Sequence, residues 1–96
     1  MPVVFRRAAE KEFSKAAVWY EGQRPGLGAD FVGEILQVLS KVRSQPDRYP
    51  VVHRDVREAL VSRFPYAVYY RVKPDRLVVI AVFHCSRDPA VWQSRR

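Results

Sequence analysis

The sequence predicts an α+β fold: an N-terminal strand, an antiparallel helical hairpin packed on a mainly antiparallel three- to four-stranded sheet, and a short C-terminal tail. Three observations carry that expectation. Apolar residues recur at helical spacing in two segments before Ser44, the spacing changes to two from about Arg57, and Leu77 to Phe83 is almost continuously apolar. A sheet with one face to cover and two helices with one apolar face each close into two layers.

Val3, Val4 and Phe5 form a short β-prone opening that ends at Arg6-Arg7. A first strand is expected there, tied to an edge of the sheet. From Ala8 to about Gln23 the residues are good helix formers, and Phe13, Ala16, Ala17 and Tyr20 fall on one face. Gly22 and Arg24-Pro25-Gly26-Leu27-Gly28 then end the helix, because proline disfavours helix at the preceding residue and glycine admits positive φ. A second amphipathic helix follows from about Gly28 to Ser44, with Phe31, Ile35, Val38, Leu39 and Val42 on its apolar face. Acidic Asp30 and Glu34 come early and basic Lys41 and Arg43 late, as the helix dipole favours. Gly26-Leu27-Gly28 lacks the preceding strand of a nucleotide-binding loop, so no phosphate cradle is read there.

Gln45-Pro46-Asp47-Arg48-Tyr49-Pro50 reads as a connector held extended by its two prolines. Arg57 to about Phe64 alternates, with Ala59 and Val61 on one side and Leu60 on the other. Tyr66 to Val72 is aromatic and β-branched, Val72-Lys73-Pro74-Asp75-Arg76 is a turn, and Leu77 to Phe83 is a strand covered on both faces.

Ninety-six residues are enough for one domain, read as spanning residues 1–96, and too few for two. No apolar run approaches the roughly 20 residues needed to cross a bilayer, and the first residues lack the long apolar region of a signal peptide. A cytoplasmic location with no membrane partner is expected. The lone Cys85 permits no internal disulfide and reads as a small buried filler. His53, His84 and Cys85 have no metal-ligand spacing, so neither metal nor cofactor is expected. The formal charge is +7, with 9 Lys/Arg against 4 Asp/Glu after residue 48 and 8 against 6 before it. A basic half of this kind suits phosphate backbones, an acidic protein partner, or plain solvation.

The element order resembles that of the ParE branch of the RelE/ParE toxin superfamily. Trp19-Tyr20-Glu21 with Pro25-Gly26-Leu27-Gly28, and Phe64-Pro65-Tyr66 with His84-x-x-Arg87-x-Pro89-x-x-Trp92, carry the resemblance, which extends over roughly Val3 to Arg95. It implies the toxin of a type II toxin-antitoxin pair, held in a hetero-oligomer by an acidic antitoxin wrapped around its sheet and helical hairpin. Tyr20, Phe31, Ile35, Tyr69 and Arg71 are the antitoxin-binding residues expected on that basis. ParE proteins poison DNA gyrase, whereas the RelE branch cleaves messenger RNA on the ribosome.

Metal-free RNA cleavage needs a base, a proton donor and cations around the phosphate. His84 with Glu58, Arg63 and Arg87 could supply a version of that set. Two departures stand against it. Ala67 stands where RelE-type nucleases carry an arginine, and Trp92, which cannot donate a proton comparably, stands where they carry a catalytic tyrosine. The alternatives are that His84 only caps a strand, and that Tyr66, Tyr69 and Tyr70 are cross-strand packing. Trp92 and Arg87 either fold the tail over the sheet or, with Arg63, Arg95 and Arg96, form an exposed target-binding anchor. Gyrase binding without catalysis is thus the leading expectation, ahead of a ribosome-dependent mRNA endonuclease or a non-toxic, antitoxin-binding regulatory module.

Overall fold

A computed structural model describes the whole chain, Met1–Arg96. Strand β1 (Val3–Phe5) leads into helices α1 (Arg7–Gln23) and α2 (Leu27–Ser44). A 3₁₀ turn (Pro46–Arg48) precedes strands β2 (Val51–His53), β3 (Val56–Leu60), β4 (Tyr66–Val72) and β5 (Leu77–His84), and a short helix α3 (Ala90–Gln93) ends the fold. The strands form one sheet in the order β1-β5-β4-β3-β2, with β1 parallel to β5 and every other pair antiparallel.

The α+β architecture is the expected one, but the sheet has five strands, not three or four. The additional strand is β2. The connector before it is not extended either: Pro46 opens a 3₁₀ turn instead, a position its fixed φ suits. Arg57 on β3 holds that turn by donating to the carbonyl oxygens of Tyr49 (2.6 Å) and Asp47 (3.1 Å). Strand β3 stops at Leu60, earlier than the alternation suggested, because Arg63 takes φ 71° and turns the chain before Phe64.

The helical hairpin closes through Gly26, whose φ of 90° is open to glycine at little cost. No side chain at that position caps α2; the Glu21 carboxylate does so from α1, accepting from the amides of Gly26 (2.9 Å) and Gly28 (3.0 Å). Those amides are therefore consumed internally. Gly28 is fully packed against α1, and a Cβ there would lie 2.6 Å from the Ala17 carbonyl oxygen.

One face of the sheet packs under the hairpin, joining Phe31, Ile35, Leu39 and Val42 to Val68, Tyr70, Val79 and Val82. The opposite face carries a smaller cluster of Val56, Ala67, Tyr69, Ala81 and Phe83, closed by Trp92 from α3. Strand β5 is thus covered on both sides, as its unbroken apolar run requires. Its pairing with β4 slips by one residue, Tyr69 facing Ala81 and Tyr70 facing Val79, so Ile80 is a bulge. Consequently Val79 and Val82, three apart, share the helical face.

Candidate functional site

Strand β5 has eight residues and β1 only three, so the outer edge of β5 outruns its neighbour. Its unpaired groups are met by side chains. Glu12 on α1 accepts from the Val82 amide (3.2 Å), and Arg95 from the tail donates to the Ile80 carbonyl (3.2 Å). The two side chains also clasp each other through paired contacts of 2.9 Å, with Arg87 adding a 3.6 Å ion pair to the same carboxylate. Glu12 therefore ties α1, the β5 edge and the tail together.

That clasp fixes the tail across the second sheet face. Trp92 is 2% exposed and stacks on Tyr69 with ring centroids 4.0 Å apart and planes 21° from parallel. His53 meets its edge and donates from Nε2–H to the Gln93 carbonyl (3.2 Å), since that oxygen can only accept. The expectation of Trp92 as an exposed anchor is thereby corrected: it is a plug, held there by the apolar gain of covering Tyr69 and Phe83.

A groove of about 570 Å³ lies between the end of α1 and the exit of β5, lined by Trp19, Tyr20, Pro65, Tyr66, His84 and Arg87 among others. His84 Nδ1 accepts from the Ser86 amide (3.0 Å) and lies 2.8 Å from the Ser86 hydroxyl, while Tyr66 meets the ring edge-on. Burial raises the phenol pKa of both Tyr20 and Tyr66, so neither is ionised near neutrality. Arg87 lies over the Phe83 ring at 4.3 Å.

The four nuclease candidates are only partly brought together. Glu58, His84 and Arg87 border one small cavity of about 240 Å³, whereas Arg63 lies apart and pairs with Asp30 and Glu34 of α2, each at 3.4 Å. Glu58 is engaged by the Tyr69 hydroxyl at 2.7 Å, and desolvation together with that bond pushes the phenol pKa far upward. Ala67 has no exposed surface and sits beneath Trp92 in the same cluster. Cys85 is exposed, not a buried filler, because the chain leaves the sheet at His84.

The expected antitoxin contacts also divide. Phe31 and Ile35 are 0% exposed and have no surface to offer, and Tyr69 is largely buried beneath Trp92. Tyr20 is half-buried among Phe31, Phe64 and Tyr66, with part of its ring in the groove. Arg71 lies on another side of the molecule, paired with Asp55 at 2.8 Å and donating to the Arg95 carbonyl at 3.4 Å. Arg95 and Arg96 line the same basic cavity as Arg71. Reasoning from sequence missed Glu12, whose three partners, Val82, Arg87 and Arg95, lie on distant segments, and the exposed Val18, Trp19 and Leu36 of the hairpin. No group of three His, Cys, Asp or Glu side chains converges as metal ligands, and no helix is long and apolar enough to cross a membrane.

Comparison with known proteins matches the chain both to a family model and to solved structures. A family model described as "ParE toxin of type II toxin-antitoxin system, parDE" matches residues 3–89. Among solved structures, a chain of the "Chromosomal ParDE TA system from P. aeruginosa" superposes with a TM-score of 0.76 at 17% identity, covering 88% of this chain and 95% of that one. At that identity the likeness is one of fold. No curated protein sequence matches.

Proposed function

Because the chain belongs to the ParE toxin family of type II toxin-antitoxin systems, we propose that it arrests growth in the cytoplasm by binding DNA gyrase, without chemistry of its own. An antitoxin is its partner as half of such a pair, and in this reading an acidic antitoxin neutralises it in a hetero-oligomer. The 96 residues act as one domain.

One observation carries the non-catalytic half of the reading. The two positions where superfamily nucleases carry their arginine and tyrosine hold Ala67 and Trp92, both buried in one apolar cluster. His84 is not held in a formed acid–base pair: its Nδ1 is occupied by Ser86, and the Tyr69 hydroxyl is bonded to Glu58. A binding protein needs no such pair. It needs accessible groups, and the groove presents Trp19, Tyr66 and Arg87 while a net charge of +7 favours an acidic, folding-on-binding partner.

Two assays run in parallel test this. Purified toxin added to gyrase should block supercoiling and accumulate cleaved DNA, and added to a translating ribosome system should leave transcripts intact. Cuts at the ribosomal A site that vanish in His84→Ala would instead establish the nuclease reading, which the shared cavity of Glu58, His84 and Arg87 favours. Expression without antitoxin that leaves growth unaffected would sink both and favour a regulatory module.

A further inference from the structure

A cavity of about 460 Å³ opens where the start of α1, the β2–β3 turn, the end of β4 and the tail meet. Six cations line it: Arg6, Arg54, Arg71, Lys73, Arg95 and Arg96. No hydrophobic side chain contributes to the lining. Arg71 is balanced by Asp55 and Arg95 by Glu12, each ion pair being under 3.0 Å. Arg6, Arg54, Lys73 and Arg96 have no carboxylate side chain within the 4.0 Å of an ion pair.

Like charges gathered in one concavity repel, so the fold must hold them there against a cost. Two features do so. The guanidinium of Arg71 donates to the Arg95 backbone carbonyl, which docks the tail against the end of β4 and brings Arg96 alongside Lys73 in the lining. Arg54 occupies the β2–β3 turn at φ 53°, a left-handed conformation that glycine or asparagine adopts with less strain. The turn thus carries a cation where a smaller residue would fit the backbone better.

We propose that this cavity is a binding site for the phosphodiester backbone of a nucleic acid. Phosphate oxygens match both guanidinium forks and the ammonium point charge, and a concave, unbalanced cationic lining focuses the field on them. An acidic protein segment that folds on its partner anchors through apolar side chains, and this lining has no receptor for one. The proposal goes beyond the gyrase reading and does not depend on it, since the cavity and the groove beside His84 share no residue.

The test contains no gyrase and no ribosome. Labelled DNA and RNA duplexes of about twenty base pairs are titrated with the full chain by fluorescence anisotropy across a salt series. With four free cations engaged, log K should fall against log salt with a slope of roughly −3 to −4, about a hundredfold between 50 and 200 mM. Arg54→Asn/Lys73→Gln should weaken binding at least about tenfold and flatten the slope by about two. Lys11→Gln/Lys41→Gln, with the same change in net charge on the helical hairpin, should leave the slope as it is. Tighter binding of one duplex than the other identifies DNA or RNA as the source of the backbone and supports the proposal either way. Equal losses in both double variants would reduce the effect to net charge and overturn it. So would poly-L-glutamate displacing the duplex at equal charge concentration, which would assign the cavity to an acidic protein. Circular dichroism melts of the two double variants confirm that they are folded.

Discussion

Removing the Glu12 carboxylate should cost the fold more than any other single charge change. Its side chain is 13% exposed and that of Arg95 20%, so the pair is neither bathed in solvent nor fully desolvated. Breaking a buried pair by deleting one partner costs about 3–5 kcal/mol, and the residual exposure of Arg95 places Glu12→Ala near the lower end, about 3 kcal/mol. Part of that loss comes from the Val82 amide, which has no neighbouring strand to bond instead. Glu12→Gln keeps one oxygen that can still accept from both the Val82 amide and Arg95, while losing the charge and the second acceptor, so it should lose about half as much, roughly 1.5 kcal/mol. Urea unfolding followed by circular dichroism measures both, and for a chain of this size 3 kcal/mol corresponds to a fall in Tm of roughly 15 °C. A double-mutant cycle with Arg95→Ala should return a coupling of about 1–3 kcal/mol. If Glu12→Ala loses less than about 0.5 kcal/mol, the clasp is an ordinary surface ion pair and the reasoning fails.

Other expectations follow from the packing. Gly28→Ala drives a methyl to within 2.6 Å of a backbone oxygen of α1 and should destabilise by about 1–3 kcal/mol in the same urea titration; an unchanged midpoint would show that the hairpin can open without cost. Tyr70 is fully buried with its hydroxyl on the Pro46 carbonyl, and desolvation pushes its pKa up to about 12. The unfolded phenol ionises near 10, so this contribution is whole below about pH 10 and is lost as pH rises toward 12, amounting to roughly 2–3 kcal/mol. Stability measured from pH 9 to 12 should fall over that window, and Tyr70→Phe should flatten the fall. Arg63→Gly relieves a left-handed φ worth about 1–2 kcal/mol but loses exposed ion pairs worth about 0–1 kcal/mol and adds glycine's chain entropy, so stability should change by less than about 1 kcal/mol. Lost growth arrest at unchanged stability would mark Arg63 as a contact residue; retained arrest would remove it from the target-binding set.

The parts of the fold legible in the sequence are those with long periodic patterns. Both helices and the β4–β5 hairpin declare themselves through many residues agreeing on one face. Strand β2 does not, because it is three residues long and both its valines are exposed, so it shows no alternation. The same periodicity misleads about function. Phe31 and Ile35, which the family resemblance places in antitoxin contact, also stand in an apolar stripe, and a residue conspicuous in such a stripe is for that reason inside. Trp92 beside arginines fits an exposed anchor and a buried plug equally well in sequence; Tyr69, across the sheet, decides between them. The basic cavity was foreshadowed only by the charge of the second half. Its lining runs from Arg6 to Arg96, and nothing in linear spacing shows that those two ends meet.

The two tryptophans stand in opposite surroundings: Trp19 is 60% exposed at the rim of the groove, and Trp92 is 2% exposed beneath the tail. Emission from this small chain therefore carries two separable signals. An aqueous quencher such as acrylamide reaches Trp19 and spares Trp92, so a ligand seated in the groove shields the red-emitting, quenchable fraction alone. Undocking of the tail would instead expose the second indole and convert the blue fraction into the red. Unlabelled protein can thus report separately on occupancy of its groove and on release of its tail, in the same cuvette.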